Sequence, residues 1–174
     1  MDSIELVKPS QKFLASYLET LKEAEMFDPT YSQYFCYTRS DIFTDFNNYE
    51  KGINLPENYV PASYFWLVRG NDFIGEISIR HRLTPALEKY GGHIGYKIRY
   101  SEWNKGYGTK MLVLALIEAK KMGLDRVLIT CHSNNYASKR VIEKNGGILN
   151  SKIYNIIEGR MIFTLRYWID LSNK

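Results

Sequence analysis

One stretch, residues 93–145, constrains the fold more than any other, because its apolar spacing switches between the strand period of two and the helix period of 3.6. Ile94, Tyr96, Ile98 and Tyr100 alternate with His93, Gly95, Lys97 and Arg99, which predicts a strand with one apolar face. Met111, Leu112, Ala115, Leu116, Ala119 and Met122 then recur at helical spacing. Val113, Leu114 and Ile117 widen that stripe over much of the circumference, so this helix belongs at the centre of the molecule. Gly123 ends it as a left-handed cap. Residues 127–131 are almost continuously apolar, as a strand covered on both faces requires, and a helix over 135–145 follows, closed by Gly146 and Gly147.

The flanks supply the rest of a mixed α/β (α+β) domain. Residues 4–8 read as a short strand, Ser10 as a helix N-cap, and Leu14, Tyr17, Leu18, Leu21 and Ala24 as a helix running to about Phe27. Residues 28–61 are aromatic-rich and poorly periodic, a connector with a helix over 41–50. Residues 64–69 and 73–82 form a hairpin about Gly70-Asn71-Asp72, and 148–157 and 160–169 form another about Glu158-Gly159. The expectation is one domain over residues 1–174, with a central, mostly antiparallel sheet of about seven strands and about four helices.

Bulk properties exclude several classes. With 174 residues, 45% hydrophobic and 24% charged, the chain builds one core and is neither disordered nor fibrous. No apolar run spans a bilayer and Met1 to Lys8 lacks signal-peptide character, so a soluble, cytoplasmic protein with no membrane partner is expected. Cys36 and Cys131 show no metal-ligand spacing, so no metal is expected. The net charge of +4 is spread without a basic block, which argues against nucleic acid and suits a small polyanion. A homodimer is left open.

The loop between the first strand and the central helix is Trp103-Asn104-Lys105-Gly106-Tyr107-Gly108-Thr109. Glycines one residue apart at a helix start let backbone N–H groups converge where the helix dipole adds positive potential, a place for a pyrophosphate. The loop is not a P-loop, because Gly108-Thr109-Lys110 lacks the Gly-Lys-Ser/Thr ending, nor a dinucleotide fingerprint, because Met111 stands where a third glycine belongs. Asn135-Tyr136-Ala137-Ser138 opens the next helix with polar groups in the same way.

Taken together, the strand over 92–100, the loop Asn104-Lys105-Gly106-Tyr107-Gly108-Thr109, and Asn135-x-x-Ser138 followed by Lys144-Asn145-Gly146 resemble the GNAT family of N-acetyltransferases over roughly residues 60–165. Gly91-Gly92-His93-Ile94-Gly95-Tyr96 looks like a bacterial-type subgroup of it. The resemblance implies a sheet splayed between the strands at 93–100 and 126–132, with acetyl-CoA as acyl donor in the splay. Its pyrophosphate would lie on Asn104, Lys105, Gly106, Tyr107, Gly108 and Thr109. Its pantetheine arm would pair with the backbone of Tyr96, Lys97 and Ile98, and Asn135 and Ser138 would border it. The chain departs from the family at Trp103, where Arg or Gln is usual, at Ile142, where a tyrosine acid is common, and at Thr130, where some members carry a glutamate base.

The implied activity is acetyl transfer to an amine of a small molecule or peptide by direct attack in a ternary complex. An alternative is a non-catalytic acyl-CoA-binding module. An amine attacks only when neutral, so a base titrating near neutrality is wanted. His93 is the first candidate for that base, and Glu76 and His132 on neighbouring strands come next. Cys131, in an apolar strand, reads as a packing residue, and Tyr136 as a weak substitute for the missing acid.

Overall fold

The computed structural model describes residues 3–27, 41–157 and 159–172. Residues 28–40 of the aromatic connector, Cys36 among them, and Glu158 lie outside the described residues. Among those described, seven strands and five α-helices follow in the order β1 (Ile4–Val7), α1 (Leu14–Phe27), α2 (Ile42–Lys51), β2 (Ala62–Arg69), β3 (Asp72–Arg80), α3 (Pro85–Lys89), β4 (Ile94–Ile98), α4 (Tyr107–Lys121), β5 (Arg126–His132), α5 (Tyr136–Lys144), β6 (Ile148–Ile157) and β7 (Arg160–Asp170). The strands form two sheets, β1-β2-β3-β4 and β5-β7-β6, antiparallel throughout.

Local sequence explains most boundaries. Asp41 caps α2 by accepting from the Phe43 N–H at 3.0 Å, and Gly52 ends it at φ 71°. Ser10, expected as a cap for α1, instead precedes a 3₁₀ turn and makes no side-chain cap bond. Helix α3 was not anticipated, although Thr84-Pro85 carries its signal. The Thr84 hydroxyl accepts from the Leu87 N–H at 3.2 Å, and Pro85 sits in the first turn, where its missing N–H costs nothing.

Two buried clusters, rather than the single core expected, hold the layers, because the first sheet is covered on both faces. On one face of the sheets α4 buries Met111, Leu112, Ala115, Leu116 and Ala119 against Ile77, Ile79 and Ile94 of the first sheet and Val127, Ile129 and Tyr167 of the second. Cutting back Leu112, fully buried, would cost about 2–5 kcal/mol. On the other face Tyr17 of α1 stacks on Trp66 of β2 with ring centroids 4.7 Å apart, and Phe46 of α2 meets the same indole edge-on. The two sheets therefore share one central helix while α1 and α2 cover the first sheet alone.

Candidate active site

Strands β4 and β5 meet just before β4 begins. The His93 N–H donates to the Leu128 carbonyl at 2.7 Å, and the Leu128 N–H donates back to His93 Nδ1 at 2.9 Å. The His93 carbonyl turns the other way, accepting from the Arg80 N–H at 2.7 Å. One residue thus joins the two sheets. Beyond it β4 pairs with β3, and β5 with β7, and the strands part.

Antiparallel ladders alternate bonded and non-bonded pairs. With Arg80 and His93 bonded, Ser78 with Gly95 and Glu76 with Lys97 follow as bonded pairs, and the backbone groups of Ile94 and Tyr96 turn toward the gap. Lys97 faces the other strand, and the Ile98 carbonyl accepts from Trp103 Nε1 at 2.9 Å.

The junction depends on Gly92. Its φ is +63°, and a Cβ there would stand 2.4 Å from the Leu128 carbonyl oxygen, so any other residue would push β4 off β5. Thr130, two residues along β5, steadies the same turn by accepting from the Gly91 N–H at 3.0 Å. That hydroxyl fills the position where a family glutamate was sought.

The three candidate bases have different surroundings. His93 is buried, and burial, helped by Arg80 and Arg126, pushes its pKa down to about 4. Since Nδ1 accepts from Leu128, the neutral ring carries its proton on Nε2. Glu76 is buried on β3 with Lys97 Nζ 2.9 Å from Oε1 and Trp66 Nε1 donating to Oε2 at 3.0 Å. His132 ends β5, with its ring 6.0 Å from that of Tyr90 and no hydrogen bond to the ring among the described residues.

The glycine loop leads into a bare helix start. Asn104 and Gly106 both adopt the left-handed conformation, at φ 61° and 83°, and no side chain caps α4, whose first turn carries no acidic residue. The N–H groups of Tyr107, Gly108 and Thr109 are the orphan donors of that turn. A Cβ on Gly106 would meet open space, whereas one on Gly108 would lie 3.2 Å from Val141 Cγ2 of α5. The two glycines therefore do different jobs: Gly106 makes the turn and Gly108 lets α4 and α5 approach. Lys105 Nζ lies 3.2 Å from Glu102, the Tyr107 hydroxyl accepts from Arg69 at 2.8 Å, and the Thr109 carbonyl accepts from Asn145 Nδ2 at 3.3 Å.

Across the gap Asn135 caps α5, its Oδ1 accepting from the Ser138 N–H at 3.0 Å. The Tyr96 and Ser138 hydroxyls lie 2.9 Å apart, a pairing that spacing along the chain could not reveal. Burial raises the Tyr96 pKa, so the phenol keeps its proton at neutral pH. The Cys131 thiol is likewise pushed up by burial, with Ser138 hydrogen-bonding it in the opposite direction. Tyr136 is largely exposed and Ile142 fully buried. Among the described residues no group of His, Cys, Asp and Glu could hold a metal ion, and no helix is long and apolar enough to cross a membrane.

The chain matches the family model described as the acetyltransferase (GNAT) domain over residues 6–148. A search of curated protein sequences finds no significant match. Solved structures with the same fold include RimL, a ribosomal L7/L12 alpha-N-protein acetyltransferase in complex with coenzyme A, at 16% identity and TM-score 0.71 over 99% of this chain and 96% of that one. The microcin C7 self-immunity acetyltransferase MccE in complex with acetyl-CoA and AMP matches at 16% identity and TM-score 0.67, over 98% and 93%. An N-acetyltransferase from Staphylococcus aureus Mu50 matches at 16% and 0.65, over 98% and 99%. The gap between β4 and β5, the bare start of α4 and a family match across most of the sequence agree, and the chain belongs to the GNAT family of acetyltransferases, enzymes that take their acetyl group from acetyl-CoA.

Proposed function

We propose that the chain transfers the acetyl group directly to the neutral form of an amine while acetyl-CoA and amine are bound together at the gap between β4 and β5. The observation that carries this reading is the His93–Leu128 junction, which fixes where the gap closes. Bound acetyl-CoA supplies an activated thioester carbonyl and a thiol leaving group. The N–H groups of Tyr107, Gly108 and Thr109 at the uncapped α4 start hold its pyrophosphate, with Asn104, Lys105 and Gly106 shaping the approach. Backbone groups of Ile94 and Tyr96, rather than Lys97, pair with the pantetheine arm, and Ile98 borders it. Asn135 spends its oxygen on the α5 cap and keeps its amide nitrogen as a donor.

Orientation beside a fixed thioester supplies much of the rate. The Ser138 hydroxyl, backed by Tyr96, holds a proton for the departing sulfur in place of an acid at Ile142. His93 positions the strands, Glu76 is committed to Lys97 and Trp66, and His132 receives the amine proton, directly or through water. Buried Cys131 packs and forms no acetyl adduct.

The non-catalytic alternative draws support from Ile142 and Thr130, which place neither acid nor base at the familiar positions. Calorimetry with acetyl-CoA, followed by amine-dependent thiol release, separates the readings. Binding with turnover supports transfer, binding without turnover supports the module, and no binding at millimolar acetyl-CoA defeats both.

A further inference from the structure

The side of the gap away from α4 carries two arginines without carboxylates. Arg80 ends β3, and its Nη1 donates to the carbonyls of Gly91 at 3.3 Å and Gly92 at 3.1 Å. Among the described residues no carboxylate forms an ion pair with it, and the ionisable groups acting on it are the phenols of Tyr64, Tyr59 and Tyr90, while burial pulls its pKa down. A cation in such surroundings has lost water without gaining a counter-charge.

Its position ties it to the reaction. A Cβ built on Gly95 of β4 would lie 3.9 Å from Arg80 Nη1 and 4.0 Å from Nη2, so the guanidinium rests beside a bare stretch of the strand that borders the gap. The Gly91 N–H is held by Thr130, and Thr130 stands directly opposite Arg166 on β7. Arg166 Nη1 donates to Ser151 at 3.1 Å, and its buried Nε has no hydrogen-bond partner among the described residues. Two protein carbonyls already occupy Nη1 of Arg80, which leaves its other edge as a planar fork of the shape that a carboxylate matches.

Resting on the acetyl-transfer reading above, we propose that the amine acceptor carries a carboxylate, which the remaining edge of the Arg80 guanidinium receives beside Gly95, with Arg166 adding positive field from β7. The acceptor class is thus an amino acid or a similarly small amino-carboxylate, whose amine is then presented toward the gap.

The test compares kcat/KM for a panel of L-amino acids with that for the matching amides and decarboxylated amines, in wild type and in Arg80→Gln and Arg80→Lys. Wild type should favour the carboxylate by roughly 10- to 100-fold, the worth of a charge-assisted hydrogen-bonded contact. Arg80→Gln should erase that preference through KM, and Arg80→Lys should restore part of it. Acetyl-CoA affinity, read by calorimetry, should stay at the wild-type value in both variants. Equal wild-type rates on acids and amides, or a preference that survives Arg80→Gln, would overturn the proposal, and the wild-type comparison decides even if the variant does not fold. Absence of acetyl-CoA binding by wild type would instead bring down the transfer reading on which this one rests.

Discussion

Replacing His93 by Asn separates a strand-pairing residue from a base. In the folded chain Nδ1 accepts the Leu128 N–H and the pKa falls from 6.5 to about 4. Above pH 6.5 the ring is neutral whether the chain is folded or not, and its contribution is whole. As pH falls toward 4 the unfolded chain takes up a proton that the folded chain refuses, so stability is lost across that window and levels off below it. A difference of about 2.5 units at about 1.36 kcal/mol each gives a loss on the order of 3 kcal/mol. Asparagine offers Oδ1 where histidine offers Nδ1 and does not titrate, so His93→Asn should keep the junction and remove the slope. Alanine should instead leave the Leu128 N–H unpaired, at a cost of about 1–3 kcal/mol at every pH. Urea denaturation of the three proteins between pH 7.5 and pH 4 reads the difference, with the carboxylates common to all cancelling. Parallel curves for wild type and His93→Asn would refute the reasoning. Loss of an acidic limb of the pH–rate profile in His93→Asn, with stability unchanged, would return the residue to the role of base.

Gly106→Ala should cost about 1–2 kcal/mol for its left-handed backbone and weaken acetyl-CoA binding, checked by calorimetry, while Gly108→Val should lower the melting temperature by pressing on Val141. Ser138→Ala should lower kcat about 10²-fold or more with acetyl-CoA affinity little changed, as loss of a general acid does; an unchanged kcat would free Ser138 of that task. Cys131→Ser should retain most of the activity, and an acetylated cysteine seen by mass spectrometry in wild type would oppose direct transfer.

Period and punctuation made the elements legible. The stripe from Met111 to Ala119 and the run from Val127 to Cys131 appear as the buried helix and strand they predict, with Gly123 at φ 84° ending the helix turn. The splay was legible only through the family resemblance, and the division of the expected single sheet into one of four strands and one of three was not legible at all, because pairing partners are set by contacts remote in sequence. Pro85–Lys89 is not legible because one turn of helix shows no period, although Thr84-Pro85 carries its cap signal. Site chemistry was least legible. Alternation along a strand does not say that Glu76 of β3 and Lys97 of β4 stand opposite one another and meet, and nothing in the spacing of Tyr96 and Ser138 brings their hydroxyls to 2.9 Å. Gly91-Gly92 was visible as a motif, yet its reason, the contact of Gly92 with the Leu128 carbonyl, belongs to the folded chain.

The central claim is tested most directly by initial rates of thiol release with acetyl-CoA and an amine varied together, with the acetylated amine identified by mass spectrometry. The account predicts intersecting double-reciprocal lines and one N-acetylated product for each thiol released. Parallel lines, or thiol release that never depends on an amine, would contradict it.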